Sequence, residues 1–332
     1  MAFLYLTEQG SYLRKVGDRI IVKKDEKVLL DVPCHKIDAV LIFGNVQFST
    51  QLIGKLLKQG IELALLTKNG RLKGQITSPA TKNITLRMNQ FDRYRDDKFR
   101  LDLSRTIVSA KIRNCVNIIK SFSYNHPEID FDKEIRLLLP LIKKARKAGE
   151  FSTLLGDEGI AGRYYWQSFR KMILGEFYFH GRQKNPPPDP VNALLSLGYT
   201  MVYNEILSLL DGIGFDPFLG YFHQTRYGHA SLASDILEEF RACVDRFTLS
   251  LINNKVFSPL DFHELPKKPG VYLSKDSLKK YFAQFEKMMT KEFFLSKSEE
   301  RTNLRKCLRL QARRIADCIQ GKSPYIPYNL KL

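Results

Sequence analysis

The side chains best suited to chemistry gather in one stretch, from Gly214 to Asn253. Its first part, GFDPFLGYFHQTRYGHA, is turn-rich, because Gly214, Pro217 and Gly220 break any regular pattern, and it delivers His223. From about Ser231 the pattern turns helical. Leu232, Ile236, Phe240, Val244, Phe247 and Leu251 recur at three or four residues and form one apolar stripe. Asp235 and Glu238 share another face, continued by Arg241, Ala242 and Asp245. A histidine on a loop feeding a helix with two acids on one side is half of a site for a hard divalent cation. The bland alternative is an amphipathic helix whose acids face water, with Glu238 and Arg241 as a surface ion pair. A third ligand from elsewhere is needed to decide between them.

FSTLLGDEGIAGRYYWQSFRKMIL, residues 151–174, offers one. On a helix, Leu154, Leu155, Ala161 and Gly162 lie three or four residues from Glu158, and Tyr165 lies seven away. Glu158 is therefore expected on the apolar face, where a carboxylate is costly unless paired, hydrogen-bonded or bound to a metal. Gly159 and Gly162 each cost a helix about 1 kcal/mol against alanine. Their presence suggests that another backbone, or a substrate, approaches closely. A local partner such as Arg163 is the alternative for Glu158.

The elements that must position these groups fall into two parts, an α+β organisation. Residues 1–77 read as a small, mainly-β domain. FLYLTE, YLRKV, RIIVKK and KVLLDV are short strands punctuated by Gly10, Gly17-Asp18 and Asp25-Glu26, which suits a meander of hairpins. AVLIFG is an apolar strand expected to be buried on both faces. Thr50 caps a short helix ending at Gly60, and two further strands meet at Lys68-Asn69-Gly70. No constellation here looks catalytic, so a scaffold or dimerisation role is expected. A linker over 78–85 contains the polar SPATKN. Residues 86–332 then read as a larger all-α catalytic domain. One long helix or two span 86–123, with Lys111 among the basic residues assigned to the outer face. Further helices are expected over 131–148, 151–174, 191–210, 276–295 and 299–320. Asn192 is expected to cap the helix at 191–210. Residues 254–275 read as irregular, since Pro259, Pro266 and Pro269 forbid a long helix, and the tail SPYIPYNLKL reads as ordered or partner-binding.

Composition narrows the classes. The 332 residues carry 53 Lys/Arg against 35 Asp/Glu, a net charge of +18, of which the first 77 residues hold 12 and 7. A chain this basic is best explained by a polyanionic partner, most often nucleic acid. Five widely spaced cysteines, with no C-x-x-C, argue against a disulfide framework and a zinc finger. No run of 18 apolar residues exists, and MAFLYLTEQG lacks the basic and apolar regions of a signal peptide, so a cytoplasmic protein without a membrane span is expected.

LLGDEG at 154–159, DPVNALLSLGY at 189–199, GFDPFLGYFHQTRYGHASLASDILEEFR at 214–241 and VDR at 244–246 resemble the CRISPR-associated spacer-integration endonucleases, the "Cas one" family. The resemblance extends over nearly the whole chain. It implies metal ligands at Glu158 in a Gly-x-Glu-Gly motif, His223 after a Gly-aromatic pair and Glu238 fifteen residues later, the three residues already singled out. It implies an auxiliary role for Asp235. Arg163, Tyr165, Arg226 and Arg241 become candidate DNA contacts, while His229 stands where the family often has arginine. It further implies transesterification of double-stranded DNA, spacer precursor and CRISPR repeat, assisted by Mn2+ or Mg2+. The implied partners are a second copy of the chain, as a homodimer, and a small companion protein ("Cas two"). An architectural DNA-binding protein and a metal-dependent RNA nuclease are the alternatives.

Overall fold

The structure, a computed structural model, describes residues 2–67, 72–76, 83–184, 186–265, 268–294 and 301–330. The chain divides into two compact units, Met1–Ala80 with Leu278–Glu286, and Thr81–Ser277 with Lys287–Leu332.

The first unit holds β1 (Ala2–Leu6), β2 (Tyr12–Val16), β3 (Arg19–Lys24), β4 (Lys27–Pro33), β5 (Ile37–Phe43), β6 (Gln47–Phe48), α1 (Thr50–Lys58), β7 (Glu62–Leu66) and β8 (Leu72–Ile76). β2, β3 and β4 form the expected antiparallel meander. Gly17 and Asp25 take positive φ at its two turns. The remaining pairing is not a meander. β6 joins β2 in parallel, β1 pairs parallel with β5, and β5 pairs parallel with β7, which pairs antiparallel with β8. Two four-stranded sheets result, ordered β4-β3-β2-β6 and β1-β5-β7-β8. Parallel neighbours need a crossover, and α1 supplies it between β5 and β7. As an inner strand, β5 buries Val40 to Phe43 without interruption, as its apolar run demands. Ser49, not Thr50, caps α1: its hydroxyl accepts from the Leu52 N–H at 3.3 Å. The Lys68-Asn69-Gly70 turn lies outside the described residues.

The second unit starts with α2 (Ile84–Arg95), α3 (Asp97–Asn125), α4 (Asp132–Lys147) and α5 (Phe151–Lys171), followed by α6 (Pro190–Ile213) and α7 (Ser231–Asn253). Of the expected linker, 78–82 lie outside the described residues. Asn83 already caps α2, accepting from the Leu86 N–H at 3.2 Å. The long basic segment is two helices because Asp96 turns extended between them and caps α3 through the Phe99 N–H. α6 is capped by Asp189, whose carboxylate accepts from the Asn192 N–H at 2.7 Å, with Pro190 at the first helical position. Asn192 is not the cap but a buried bridge that bonds Gly181 and Gln183. α6 is long and apolar enough to cross a membrane, yet its apolar residues are spent inside this unit, against α7 and α9 (Leu304–Ile319).

A strand-rich first unit followed by a helical second unit is the expected α+β organisation, and the helical unit also carries two short strand pairs. β9 (Phe262–Leu265) and β10 (Lys268–Leu273) pair antiparallel. Prolines that forbid a helix permit edge strands. After α8 (Lys275–Thr290), β11 (Phe293–Phe294) and β12 (Arg301–Thr302) form a short pair before α9. Residues 278–286 of α8, expected with the helices, count with the first unit. There Phe282 stacks on Tyr5 at 5.2 Å and packs on Phe43 at 4.5 Å.

Candidate active site

α7 settles the question its sequence left open. Every residue of its apolar stripe is buried, and so are Asp235, Glu238, Glu239 and Asp245. The acids do not face water, so each must be compensated inside the protein.

Asp235 is fully buried and accepts from three successive backbone N–H groups of the preceding loop: Tyr221 at 2.6 Å, Phe222 at 3.1 Å and His223 at 2.9 Å. Its Oδ1 also lies 2.8 Å from Nδ1 of His223. One carboxylate thus fixes both the loop and the imbalance between the two ring nitrogens: Nδ1 is engaged, and Nε2 is left to face Glu238 Oε1 at 3.5 Å. The loop can come this close only because residue 220 is glycine. A Cβ there would stand 2.6 Å from the Ser231 carbonyl carbon and 2.9 Å from Asp235 Oδ2. From the other side, Gln90 of α2 bonds the carbonyls of Asp216 and Leu219 and accepts from the Asp216 N–H. The turn-rich stretch is therefore a pinned loop.

Glu238 is 2% exposed. Its Oε1 accepts from Arg241 Nε at 2.8 Å, while Oε2 pairs with the Lys111 ammonium 2.6 Å away. Lys111, from α3, also pairs with Glu158 of α5. Burial alone would raise the pKa of Glu238, but Arg241, Lys111 and His223 outweigh it and hold the carboxyl below the usual range. Burial likewise disfavours the charged form of Lys111, and the carboxylates of Glu238 and Glu158 more than reverse that. Arg241 lies over the Tyr199 ring at 4.8 Å. Tyr199 in turn donates to Asp245, as does Tyr165 at 2.7 Å. Burial pushes the Asp245 carboxyl up to about 6 against the pull of these hydroxyls.

The three predicted residues, Glu158, His223 and Glu238, thus come together from α5, the loop and α7. Glu158 is a quarter exposed rather than buried, and its partner is Lys111 rather than Arg163. The glycines beside it do not admit another backbone: a Cβ at Gly156, Gly159 or Gly162 would meet nothing within 4 Å. They leave an open strip along α5 instead. Arg163 and Arg226 are exposed, as contacts to a ligand require, and Tyr227 next to Arg226 is fully exposed. Tyr165 is a correction. It is buried with its hydroxyl spent on Asp245, so it presents nothing to a DNA strand. Arg241 is likewise engaged, by Glu238 and the Tyr199 ring. His229 bonds Ser234 Oγ at 3.0 Å, and burial, His223 and Arg226 lower its pKa.

Lys111 is the residue that sequence reasoning missed. Ile107, Val108, Asn114 and Cys115, three and four residues away, are all buried, so its side chain leaves α3 toward the interior.

By type, the donors suit a hard divalent cation: two carboxylates and an imidazole whose Nδ1 is held by a carboxylate. The buried Glu238 Oε2 already faces a cation, the Lys111 ammonium at 2.6 Å, and is an oxygen of the kind such an ion takes. Among the described residues no three His, Cys, Asp or Glu side chains stand at the spacing of a shared ion, and the Lys111 ammonium lies between the two glutamates.

This arrangement belongs to a family. The one described as "CRISPR associated protein Cas1" matches residues 4–287, and the chain is a member of it. A relative named CRISPR-associated endonuclease Cas1 1, from Chlorobaculum tepidum, is 32% identical over 87% of this chain and 86% of its own. Among solved structures, a casposase bound to integration product has a TM-score of 0.84 at 23% identity, covering 98% of this chain and 93% of that one. A Cas6-RT-Cas1–Cas2 complex has a TM-score of 0.83 at 27% identity, covering 99% of this chain and 36% of that one. Relatives named as endonucleases support a nuclease role in CRISPR systems for this chain.

Proposed function

We propose that the chain is a divalent-metal-dependent DNA endonuclease and integrase of CRISPR adaptation, acting from the cytoplasm. The observation that carries this reading is the convergence of Glu158, His223 and Glu238, from three separate elements, beside an open strip of α5 in a chain of net charge +18. In the reaction, a DNA 3′-hydroxyl attacks a phosphodiester of the repeat. A new bond forms from that oxygen to phosphorus, the bond from phosphorus to the leaving 3′-oxygen breaks, and the leaving oxygen takes up a proton. Water in place of the hydroxyl gives hydrolysis at the same site. Glu158, His223 Nε2 and Glu238 would hold Mn2+ or Mg2+, which supplies Lewis acidity at the phosphoryl oxygen and activates the attacking oxygen. Asp235 keeps His223 oriented with Nε2 forward. Arg241 holds Glu238 ionised and in place. Exposed Arg163 and Arg226 take phosphate oxygens on either side, and the overall charge adds a binding term that weakens with salt.

The test is a DNA-joining assay with and without chelator, in the wild type and His223→Ala. Joining that requires Mn2+ or Mg2+ and disappears in a folded His223→Ala supports the reading. DNA binding with no joining under any condition points to an architectural protein, and metal-dependent cleavage of RNA alone to an RNA nuclease. The Cas1–Cas2 assembly named for a structural neighbour supports a small companion protein here as well. A homodimer through the first unit accounts for the exposed Tyr12, Val16 and Val28 on the sheet β4-β3-β2-β6. The mass of the full chain in solution, compared with Val28→Asp, tests it.

A further inference from the structure

We propose that Lys111 is the site's own counter-cation: its ammonium holds Glu158 and Glu238 together in the metal-free chain and yields the same carboxylate oxygens to the divalent ion. This inference rests on the metal-dependent reading above.

Two carboxylates converging on one half-buried place repel each other, and without a cation one of them would take up a proton. Lys111 removes that conflict. It reaches from α3 to Glu158 on α5 and to Glu238 on α7, so a single ammonium ties three helices at the site. Its side chain is 17% exposed, and among the described residues it makes no other ion pair. The other cation, Arg241, is built differently. Its guanidinium bonds Oε1 of Glu238 and is braced over the Tyr199 ring, so it is fixed in place. Lys111 instead ends a flexible four-carbon stem, and it alone faces Glu238 Oε2 among the ion pairs of the described residues.

Charge counting gives the direction of exchange. Lys111 and Arg241 already balance Glu158 and Glu238. Adding a divalent ion while both cations remain leaves these paired groups with an excess of two positive charges between α3, α5 and α7. Release of the ammonium halves that excess and frees both carboxylates. The remaining positive charge favours arrival of a phosphodiester. The metal-free site is thus preorganised by a lysine at the cost of competing with the metal.

Mn2+ alone is the probe. Mn2+ affinity is measured by calorimetry on the wild type, Lys111→Met, Lys111→Arg and His223→Ala, with melting temperatures in the presence and absence of Mn2+. Lys111→Met is expected to bind Mn2+ at least tenfold more tightly than the wild type and to melt lower without metal but not with it. Lys111→Arg is expected to show no such gain. Independently of any variant, acylation of the wild-type chain followed by peptide mass analysis should find Lys111 protected without Mn2+ and labelled with it. Unchanged or weaker Mn2+ binding in a folded Lys111→Met, or protection of Lys111 that persists at saturating Mn2+, overturns the inference. If His223→Ala still loses Mn2+ in that case, the metal reading stands without it. A wild type that takes up no Mn2+ removes both.

Discussion

Replacing Asp235 by alanine isolates the part of the site that acts through geometry. Asp235 touches neither strand nor scissile bond in the proposed reaction; it accepts from the N–H groups of Tyr221, Phe222 and His223 and from the His223 ring. Tyr221 and Phe222 are buried, so their N–H groups lose their acceptor where water does not reach, at roughly 1–3 kcal/mol each. The His223 N–H, at a partly exposed residue, regains water and costs less. The total of roughly 2–6 kcal/mol should lower the melting temperature by roughly 5–20 °C in a unit of this size. The functional loss is separate. With Nδ1 no longer held, Nε2 loses its fixed direction toward Glu238, and removal of such a supporting carboxylate typically costs about 10- to 100-fold in metal affinity or activity. Near-ultraviolet circular dichroism reads the first effect. DNA joining, measured well below the lowered melting temperature, reads the second. Asp235→Asn keeps the shape and one acceptor oxygen and should lose about half the stability. Asp235→Ala melting within 2 °C of wild type, or joining DNA at its full rate, would refute the reasoning.

Gly220→Ala puts a Cβ 2.6 Å from the Ser231 carbonyl carbon, which no backbone can absorb in place, so joining should fall as in Asp235→Ala; a wild-type rate would show that the loop does not depend on this approach. Gly159→Ala meets nothing within 4 Å and should stabilise α5 by up to about 1 kcal/mol in urea unfolding, while weakening DNA joining across the open strip. A gain in both would remove the strip from the DNA path. Tyr328→Ala removes a buried ring stacked on Phe240 at 4.6 Å and should cost about 3–5 kcal/mol, read as an earlier urea midpoint, with joining intact in the absence of denaturant.

The sequence singled out residues that the structure brings together better than it gave their wiring. His223 and Glu238 stood out as a histidine in a glycine-rich loop and an acid on a helix with an uninterrupted apolar stripe; Glu158 stood out through an expected apolar face, yet it is a quarter exposed. The partner that joins them was not legible. Lys111 looks like one of many basic residues on α3, and a single chain does not say which helices face one another. The same limit hid the Tyr165 and Tyr199 hydroxyls on Asp245, contacts spanning 80 and 46 residues. In the first unit, strand positions followed from period and turn residues, but the β1-β5-β7 order did not, since an apolar run fits a parallel neighbour as well as an antiparallel one. The glycines of α5 were read as a close approach by another backbone or a substrate, and within the chain no backbone approaches them; composition records that a side chain is missing, not what takes its place. The tail was read as ordered or partner-binding, and its described part packs onto the unit with Tyr325, Tyr328 and Leu330 buried.

Glu238 and Glu239 are consecutive and both buried, yet they should respond to pH in opposite senses. Glu238 faces two cations, Lys111 and Arg241, which overcome burial and hold its carboxyl below the usual range. Glu239, one hundred degrees further round α7 by helical geometry, faces the tail. Its hydrogen-bond donors among the described residues are neutral, the Tyr325 hydroxyl at 2.5 Å and the Tyr328 N–H at 2.6 Å, and the nearest cation, Arg314, acts only weakly. Burial prevails there and pushes its carboxyl up to about 8 against those hydrogen bonds. A tyrosine hydroxyl can accept as well as donate, so the protonated acid is also accommodated. The signs follow by linkage. For Glu239, the folded state keeps a proton that the unfolded chain loses near pH 4.5, so stability falls as pH rises from there to about 8, by on the order of 4 kcal/mol. For Glu238, the unfolded chain takes up a proton first as pH falls below about 4.5, so stability is present above that pH and lost below it. Urea unfolding of the wild type, Glu238→Gln and Glu239→Gln across pH 3.5–8.5 separates the two. The difference between wild type and Glu239→Gln should shift against the wild type as pH rises, and the difference from Glu238→Gln should shift against it as pH falls. Two differences that move together, or neither moving, would mean that charge partners do not set these carboxyls apart.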